Sequence, residues 1–365
     1  MLIRKVVITG GPCAGKTTAM SWIQNHFTRM GYTVLFIPET ATELISGGVC
    51  PWTCGTNLDY QKCQLKLQMT KEQLFEQAAR TMPQEKILIV CDRGIMDNKA
   101  YMTEEEFAEA VRYIGSDVVS LRDQYDAVFH LVTAAKGAEE FYTFENNAAR
   151  YESVEQAVDL DDRLLASWTG HPHLRVIDNS TDFMEKMQRL INEMIRFLGE
   201  TNPIASKRKF LIEYPDLEWL DSNKMARKLE SVEVYLQKTL DEEHLAHKRG
   251  ENGHYFCYES VRKPLSDRKF LEMERRITED EYNDLIREAD PERAVIRKTR
   301  YYLAYEKQYF EIDIYPNWED HAIAEIEVAN EDDEIRFPEE IHVIREITGE
   351  PEYRKSSLSY SEAAE

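Results

Sequence analysis

The chain has 365 residues, with 67 acidic side chains against 45 basic ones, for a formal charge of −22. So acidic a balance argues against a protein built to grip duplex nucleic acid, which must neutralise phosphates with Lys and Arg, though it leaves room for a local basic pocket. Hydrophobic content of 42% suffices for packed cores, the length predicts two domains, and no run reaches the about 18 apolar residues of a membrane span.

Met1-Leu2-Ile3-Arg4-Lys5 leads straight into a short apolar run, which reads as a strand and not as a secretory signal. The expectation is a cytoplasmic protein. Cysteines 13, 50, 54, 63, 91 and 257 form no small-domain disulfide framework. Cys50, Cys54 and Cys63 lack the second paired knuckle of a zinc site, and reduced structural thiols are the better reading.

Through the first half, short β runs alternate with helical stretches. Lys5-Val6-Val7-Ile8-Thr9 precedes a helix from Lys16, and Thr33–Ile37 precedes helical sequence through Leu65, Met69 and Leu74. Ile87–Cys91 follows, then a helix from Thr103, then Ala127–Leu131, Leu174–Ile177 and a last helix from Phe183 to Leu198. Apolar runs without period-2 alternation, separated by helices, predict a parallel sheet covered on both faces. Gly199 and Asn202-Pro203 mark a stop and linker.

After Ser206 the period changes. Ile296–Tyr302, Tyr309–Tyr315 and Ala324–Val328 alternate, which predicts antiparallel strands. A helix around Thr278 to Ala289 interrupts them, with Thr278 as its cap and Glu281 three residues on. Glu331 to Glu334 reads as an acidic turn. The expected domains are residues 1–200 and 205–358, with 359–365 as a loose tail.

Gly10-Gly11-Pro12-Cys13-Ala14-Gly15-Lys16-Thr17 fits G-x-x-x-x-G-K-[ST] between a strand and a helix, the context that defines a P-loop. Glycines permit the tight turn, so that main-chain amides and a helix N-terminus face an anionic phosphate chain. Gly10 through Thr18 are thus the expected nucleotide-binding stretch, with Lys16 on the terminal phosphates and the Thr17 hydroxyl on Mg²⁺. Asp92 and Glu39 follow strands whose carboxyl ends border the ligand crevice of an open α/β sheet. Asp92 is expected to hold Mg²⁺ or accept a proton, with Arg93 beside it on phosphate or substrate. Arg150 and Arg163 bracket a helix-prone segment, where phosphoryl transfer would find cations for its developing charge. Pairing with Glu152, Asp159, Asp161 or Asp162 is the alternative. Trp168, His171, His173 and Asn179 are candidates to border a base, although packing and turn chemistry around Pro172 is the stronger reading for the first three.

Gly10–Thr18, Glu39-Thr40-Ala41, Cys91-Asp92-Arg93-Gly94, Arg150-Tyr151-Glu152, His171-Pro172-His173 and Val176-Ile177-Asp178-Asn179 together resemble the AAA-type, kinase-like P-loop domain of ribosylnicotinamide kinases and of the TRPL translocation defect protein 14-like family. The resemblance covers most of residues 1–198. It implies a nucleoside-kinase-like α/β fold with a lid and an acceptor pocket, and strengthens the roles of Glu39, Asp92, Arg93 and Arg150.

In the second half, alternation puts Glu311 with Asp313, Glu325 with Glu327, Glu272 with Glu274, and Lys298 with Arg300 on common faces. These charges are either the solvated side of an ordinary sheet or the inner wall of a closed one. In the closed form bases would bind polyphosphate and acids a divalent metal. Lys207–Ile212, Glu272–Glu274, Lys298–Arg300, Glu325–Glu327 and Tyr353–Leu358 resemble a CYTH, or triphosphate-tunnel, domain. The family's opening Glu-x-Glu-x-Lys strand is altered, however. Aligned on Lys209, Ala205 and Lys207 stand where its two glutamates would be.

The resemblance implies phosphate binding by Lys209, Arg262, Lys263, Lys298 and Arg300, and metal binding by Glu272, Glu274, Glu325 and Glu327. The functional expectation is an Mg²⁺-dependent, ATP- or GTP-binding enzyme that transfers or hydrolyses the γ-phosphate, with a C-terminal domain for a phosphate-rich anion. The alternatives are a nucleotide-regulated module reading a phosphorylated small molecule or phosphoinositide, and a tunnel triphosphatase.

Overall fold

Apolar runs of four to eight residues, too short and too β-branched for buried helices, become the strands of a parallel sheet in the computed structural model. Residues 1–138, 153–199, 204–237, 243–264, 270–306, 308–328 and 333–360 are described, by backbone alone for 204–206, 263–264, 270–273 and 275. Arg150-Tyr151-Glu152, Asn202-Pro203, Glu331 and 361–365 therefore lie outside the described residues, as do the side chains of Lys263 and Glu272. The chain divides into two units, Met1–Glu193 and Met194–Glu365.

In chain order the first elements are β1 (Leu2–Thr9), α1 (Lys16–Arg29), β2 (Thr33–Ile37), α2 (Thr40–Ser46), α3 (Asn57–Thr81), β3 (Lys86–Asp92), α4 (Glu104–Tyr113), α5 (Val118–Asp123), β4 (Ala127–Leu131), α6 (Val154–Trp168), β5 (Leu174–Ile177) and α7 (Phe183–Leu198). The five strands order β2-β3-β1-β4-β5, all parallel. Val6, Val7, Ile8, Leu88, Ile89, Val90, Val128 and Phe129 are fully buried, each such side chain contributing about 1.5–3 kcal/mol. Because β1 lies between β3 and β4, the chain leaving Thr9 emerges beside Asp92 and His130, which are in register with Ile8 and Thr9. That placement sets the candidate site at the carboxyl end of the sheet.

The second unit runs β6 (Ile204–Glu213), α8 (Leu217–Ser222), β7 (Ala226–Tyr235), β8 (Glu243–Glu251), β9 (His254–Pro264), β10 (Phe270–Ile277), α9 (Glu279–Leu285), β11 (Ile296–Tyr305), β12 (Gln308–Ile314), β13 (His321–Val328), β14 (Val343–Glu346) and α10 (Lys355–Leu358). Neighbouring strands are antiparallel in the order β10-β9-β8-β7-β11-β12-β13-β6-β14. Phe270 and Leu271 of β10 also pair with Ala205 and Ile204 of β6, so the described strands β6 to β13 close into a ring. The alternating pattern is thereby resolved. One face, with Phe210, Ile212, Tyr301, Leu303, Phe310, Ile312 and Ile326, packs with Leu220 of α8 and Phe337. The charged face turns inward, leaving Asp313 fully buried and Glu325 2% exposed. Of the two architectures open from periodicity, the closed one forms.

Among the described residues no helix is long and apolar enough to cross a membrane.

Candidate functional site

The loop from Gly10 to Gly15 joins β1 to α1 in a conformation that needs its glycines. Gly10 has φ +137°, and a Cβ there would lie 2.0 Å from the Leu131 carbonyl oxygen. The half-buried Lys16 folds back over this loop, its Nζ donating to the carbonyls of Gly10 at 3.1 Å and Gly11 at 3.3 Å. Burial, then the nearby Arg93 guanidinium, pull its ammonium down to about 8, against the opposing pull of Asp92, Glu39 and Asp97. Four groups predicted from three strand ends (Lys16, Asp92, Arg93 and Glu39) thus lie within one another's fields. Thr17 and Thr18 are exposed on the first turn of α1.

Asp92 ends β3. Its Oδ1 is buried with no hydrogen-bond partner among the described residues, and burial raises its carboxyl above the usual range although Lys16 opposes this. An orphaned carboxylate oxygen in the field of the P-loop lysine is a hard-oxygen donor of the kind Mg²⁺ takes, since that ion keeps few protein ligands and fills its shell with phosphate and water. The residues present fit the ion.

Arg93 stands in the left-handed region at φ +66°. Its Nε donates to Glu39 Oε1 at 2.5 Å, Nη1 lies 3.8 Å from Asp97, and Gln68 Nε2 donates to its carbonyl at 3.3 Å. Burial works against the Glu39 carboxylate, yet Arg93 and the Thr42 hydroxyl hold it below its ordinary value. Next to them the Tyr60 hydroxyl is buried without a hydrogen-bond partner among the described residues and pushed up to about 12, mainly by burial. Sequence reading missed Tyr60; only its place in the first turn of α3 brings it to Glu39.

Other expectations are redirected. Asn179 does not offer its amide to a base. Nδ2 donates to the carbonyls of Thr133 at 2.7 Å and Lys136 at 2.9 Å, while Oδ1 accepts from Lys186 Nζ at 2.7 Å, so both amide hydrogens and one lone pair of the oxygen are already spent. Trp168 and His171 are fully buried core residues, Trp168 edge-on to Tyr125 and His171 bonded to the Tyr125 carbonyl at 3.0 Å. Burial takes the His171 imidazole down to about 3. Arg163 donates to the Ala100 carbonyl at 2.8 Å and pairs with Asp159 at 3.0 Å.

Inside the ring, acids and bases neutralise one another. Lys298 Nζ lies 2.8 Å from Glu233 and 2.9 Å from Asp313. Arg300 makes a fork to both Asp313 oxygens at 2.6 Å and reaches Glu311 at 2.6 Å. Lys209 Nζ is 2.8 Å from Glu325, its cross-strand partner, and Glu327 stands opposite Lys207 in the same register. Glu274 pairs with Arg249 at 2.9 Å and His247 at 3.1 Å. Of the expected metal face, Glu274 and Glu325 sit in separate ion-pair groups and Glu327 lies opposite Lys207, and among the described residues no three His, Cys, Asp or Glu gather as metal ligands. Lys209, Lys298 and Arg300 likewise meet carboxylates before any phosphate. Arg262 acts on the field at Glu233 and Lys355. Lys355 of α10, which sequence reading did not single out, is buried within the fields of Lys298 and Arg262 and falls to about 7, mostly through burial.

Geometry and family now agree on the class of the first unit. Residues 5–186 match a family described as AAA domain, so this is an AAA-type P-loop domain, a kind that implies a nucleotide partner. Two solved structures of protein NE1496, titled as a hypothetical protein and as an inorganic triphosphatase, are similar at 21% and 22% identity with a TM-score of 0.30 each. They cover 42% of this chain, and 97% and 93% of their own. The PH1012 protein from Pyrococcus horikoshii OT3 is similar at 16% identity and a TM-score of 0.27, over 34% of this chain and 80% of its own. No curated protein matches the chain.

Proposed function

We propose that residues 1–200 bind ATP or GTP with Mg²⁺ and transfer or hydrolyse the γ-phosphate, while residues 205–358 bind a phosphate-rich anion. The observation that carries this reading is the convergence of Lys16, the orphaned Asp92 oxygen, Arg93 and Glu39 at the carboxyl end of β1 and β3. Lys16 would leave the Gly10 and Gly11 carbonyls for the terminal phosphates. Thr17 and Asp92 would hold Mg²⁺, which supplies charge neutralisation on the phosphate oxygens. Arg93 and Glu39 would face the acceptor, and Arg150 is assigned the transferring group on its sequence position alone. Electrostatic positioning of this kind carries most of phosphoryl-transfer catalysis. Lys16→Ala should abolish nucleotide turnover in a chain that still melts cooperatively; a folded variant with native turnover rejects the proposal.

The internal ion pairs among the described residues of the ring favour a second reading, in which this unit binds and does not hydrolyse. Glu233, Asp313 and Glu325 are already committed to lysine and arginine, so a divalent ion would have to displace bound cations. Residues 205–358 would then report a phosphorylated ligand to the P-loop half, with each ligand changing the other's affinity by the same factor. Metal-dependent release of phosphate from inorganic triphosphate by the Lys16→Ala chain would overturn it in favour of a tunnel triphosphatase.

A further inference from the structure

Apart from Lys16's own hydrogen bonds, the P-loop is gripped by two buried, oppositely charged side chains from different helices. Asp161 of α6 is fully buried, and its Oδ1 accepts the Gly11 amide at 2.8 Å and the Thr133 amide at 3.3 Å. The fully buried His130 ring lies 3.1 Å from the same oxygen, and Lys136 Nζ donates to Oδ2 at 2.9 Å. Lys186 of α7, 3% exposed, donates to the carbonyls of Ala14 at 3.1 Å and Val132 at 2.7 Å, and to Asn179. Between them the Thr133 hydroxyl donates to the Pro12 carbonyl at 2.5 Å. A Cβ on Gly11 would come within 2.9 Å of Asp161 Oδ1, so the close approach depends on glycine there.

We propose that Asp161 and Lys186 are positioning residues for phosphate binding, a clamp that holds the P-loop peptide groups of residues 11 to 14 in their ligand-ready orientation. The inference rests on the nucleotide reading of the loop. Burying a carboxylate and an ammonium is costly, and apolar residues of similar volume would serve packing as well or better. What a charge adds is direction: a charge-assisted hydrogen bond fixes one peptide plane. Here the acid takes an amide and the base takes a carbonyl three residues later, so the loop is held at two points of opposite polarity. Anion binding by main-chain amides works only if those amides are oriented beforehand, because reorienting them on binding would consume the affinity they supply.

The test is titration calorimetry on the full chain with Mg·ATP, Mg·GTP and the parent nucleosides, using Lys16→Ala to subtract anion binding elsewhere. Asp161→Ala and Lys186→Met should each weaken the triphosphate by about tenfold or more while moving nucleoside affinity little, since the clamp acts on phosphate alone. Asp161→Asn still accepts from Gly11 and should recover most of the loss, while Lys186→Met keeps the test open should Asp161→Ala fail to fold. Triphosphate affinity of folded Lys186→Met, or of folded Asp161→Ala, within about twofold of native, or equal losses for nucleoside and triphosphate, overturns the clamp. Absence of triphosphate binding by the native chain overturns the nucleotide reading and this inference with it.

Discussion

At the scale of single residues, the free P-loop sets its own pH dependence. Lys16 rests near 8 because burial and Arg93 disfavour its charge, whereas a bound triphosphate would favour it. Its protonated form is the one that binds, so a proton is taken up on binding wherever the free lysine is partly neutral. Affinity should hold below pH 7 and weaken as pH climbs through 8 to 9.5. Calorimetry at pH 8.5 in buffers of different ionisation heat would read the uptake directly; the same heat in every buffer contradicts it. The left-handed backbone at Arg93 belongs to the same scale, since it aims the guanidinium at Glu39 and keeps it beside the phosphate loop.

Among elements, the β11–β12 pair concentrates the electrostatics of the ring. Arg300 and Asp313 are directly opposite in register, and Lys298 reaches the same carboxylate from one turn of the pleat away. Asp313→Ala would leave two cations buried without their shared partner, a change that typically costs about 3–5 kcal/mol. Urea unfolding should show that loss as a lower midpoint, while Glu334→Gln, whose partner Arg336 lies in open solvent, should leave the midpoint unchanged. Equal effects from the two substitutions would mean that the internal network is not what holds the strands. The helices are held differently. Thr103 with Glu106 and Thr278 with Glu281 form reciprocal capping boxes at α4 and α9, each satisfying two amides that the helix cannot.

For the whole molecule, buried titratable groups predict loss of stability in acid. The folded value of His171 is about 3 against an ordinary 6.5, so between those limits the unfolded chain takes up a proton that the native imidazole refuses. Stability therefore falls as pH drops through that window, by up to about 1.4 kcal/mol per unit. Glu233, Asp313 and Glu325 are held low despite burial, chiefly by Lys298, Arg300 and Lys209 respectively. Their contribution is present above the ordinary carboxylate range and is lost as pH falls through their native values. Glu72 and Asp92, both raised by burial, oppose the trend because their native forms protonate first. The urea midpoint should be lower at pH 5 than at pH 7 and fall faster below 4.5. About 0.3 M salt should be present so that relief of the acidic surface's self-repulsion does not hide the effect. A midpoint that is flat from pH 7 to 4 rejects the balance.

Whatever depends on neighbours along the chain was determined by the sequence itself. Thr33–Ile37, Ala127–Leu131 and Leu174–Ile177 are strands with the bounds their apolar runs predict, and α7 spans Phe183–Leu198 as its period requires. The P-loop was legible because its chemistry is contained in one short stretch between a strand and a helix. Strands β8 and β9 carry a local signal too, the Asn252-Gly253 turn with both residues at positive φ between paired Glu251 and His254, which the alternation alone did not reveal. Tertiary structure alone decided the rest: that β10 returns to β6, that the charged face turns inward against its own countercharges, and that Asn179 spends its amide behind the loop. Asp161 meets Gly11 across 150 positions and Lys186 meets Ala14 across 172. Periodicity encodes which residues share a face, but the partner of a face is chosen by non-local packing and charge compensation, and no run of adjacent residues contains that choice.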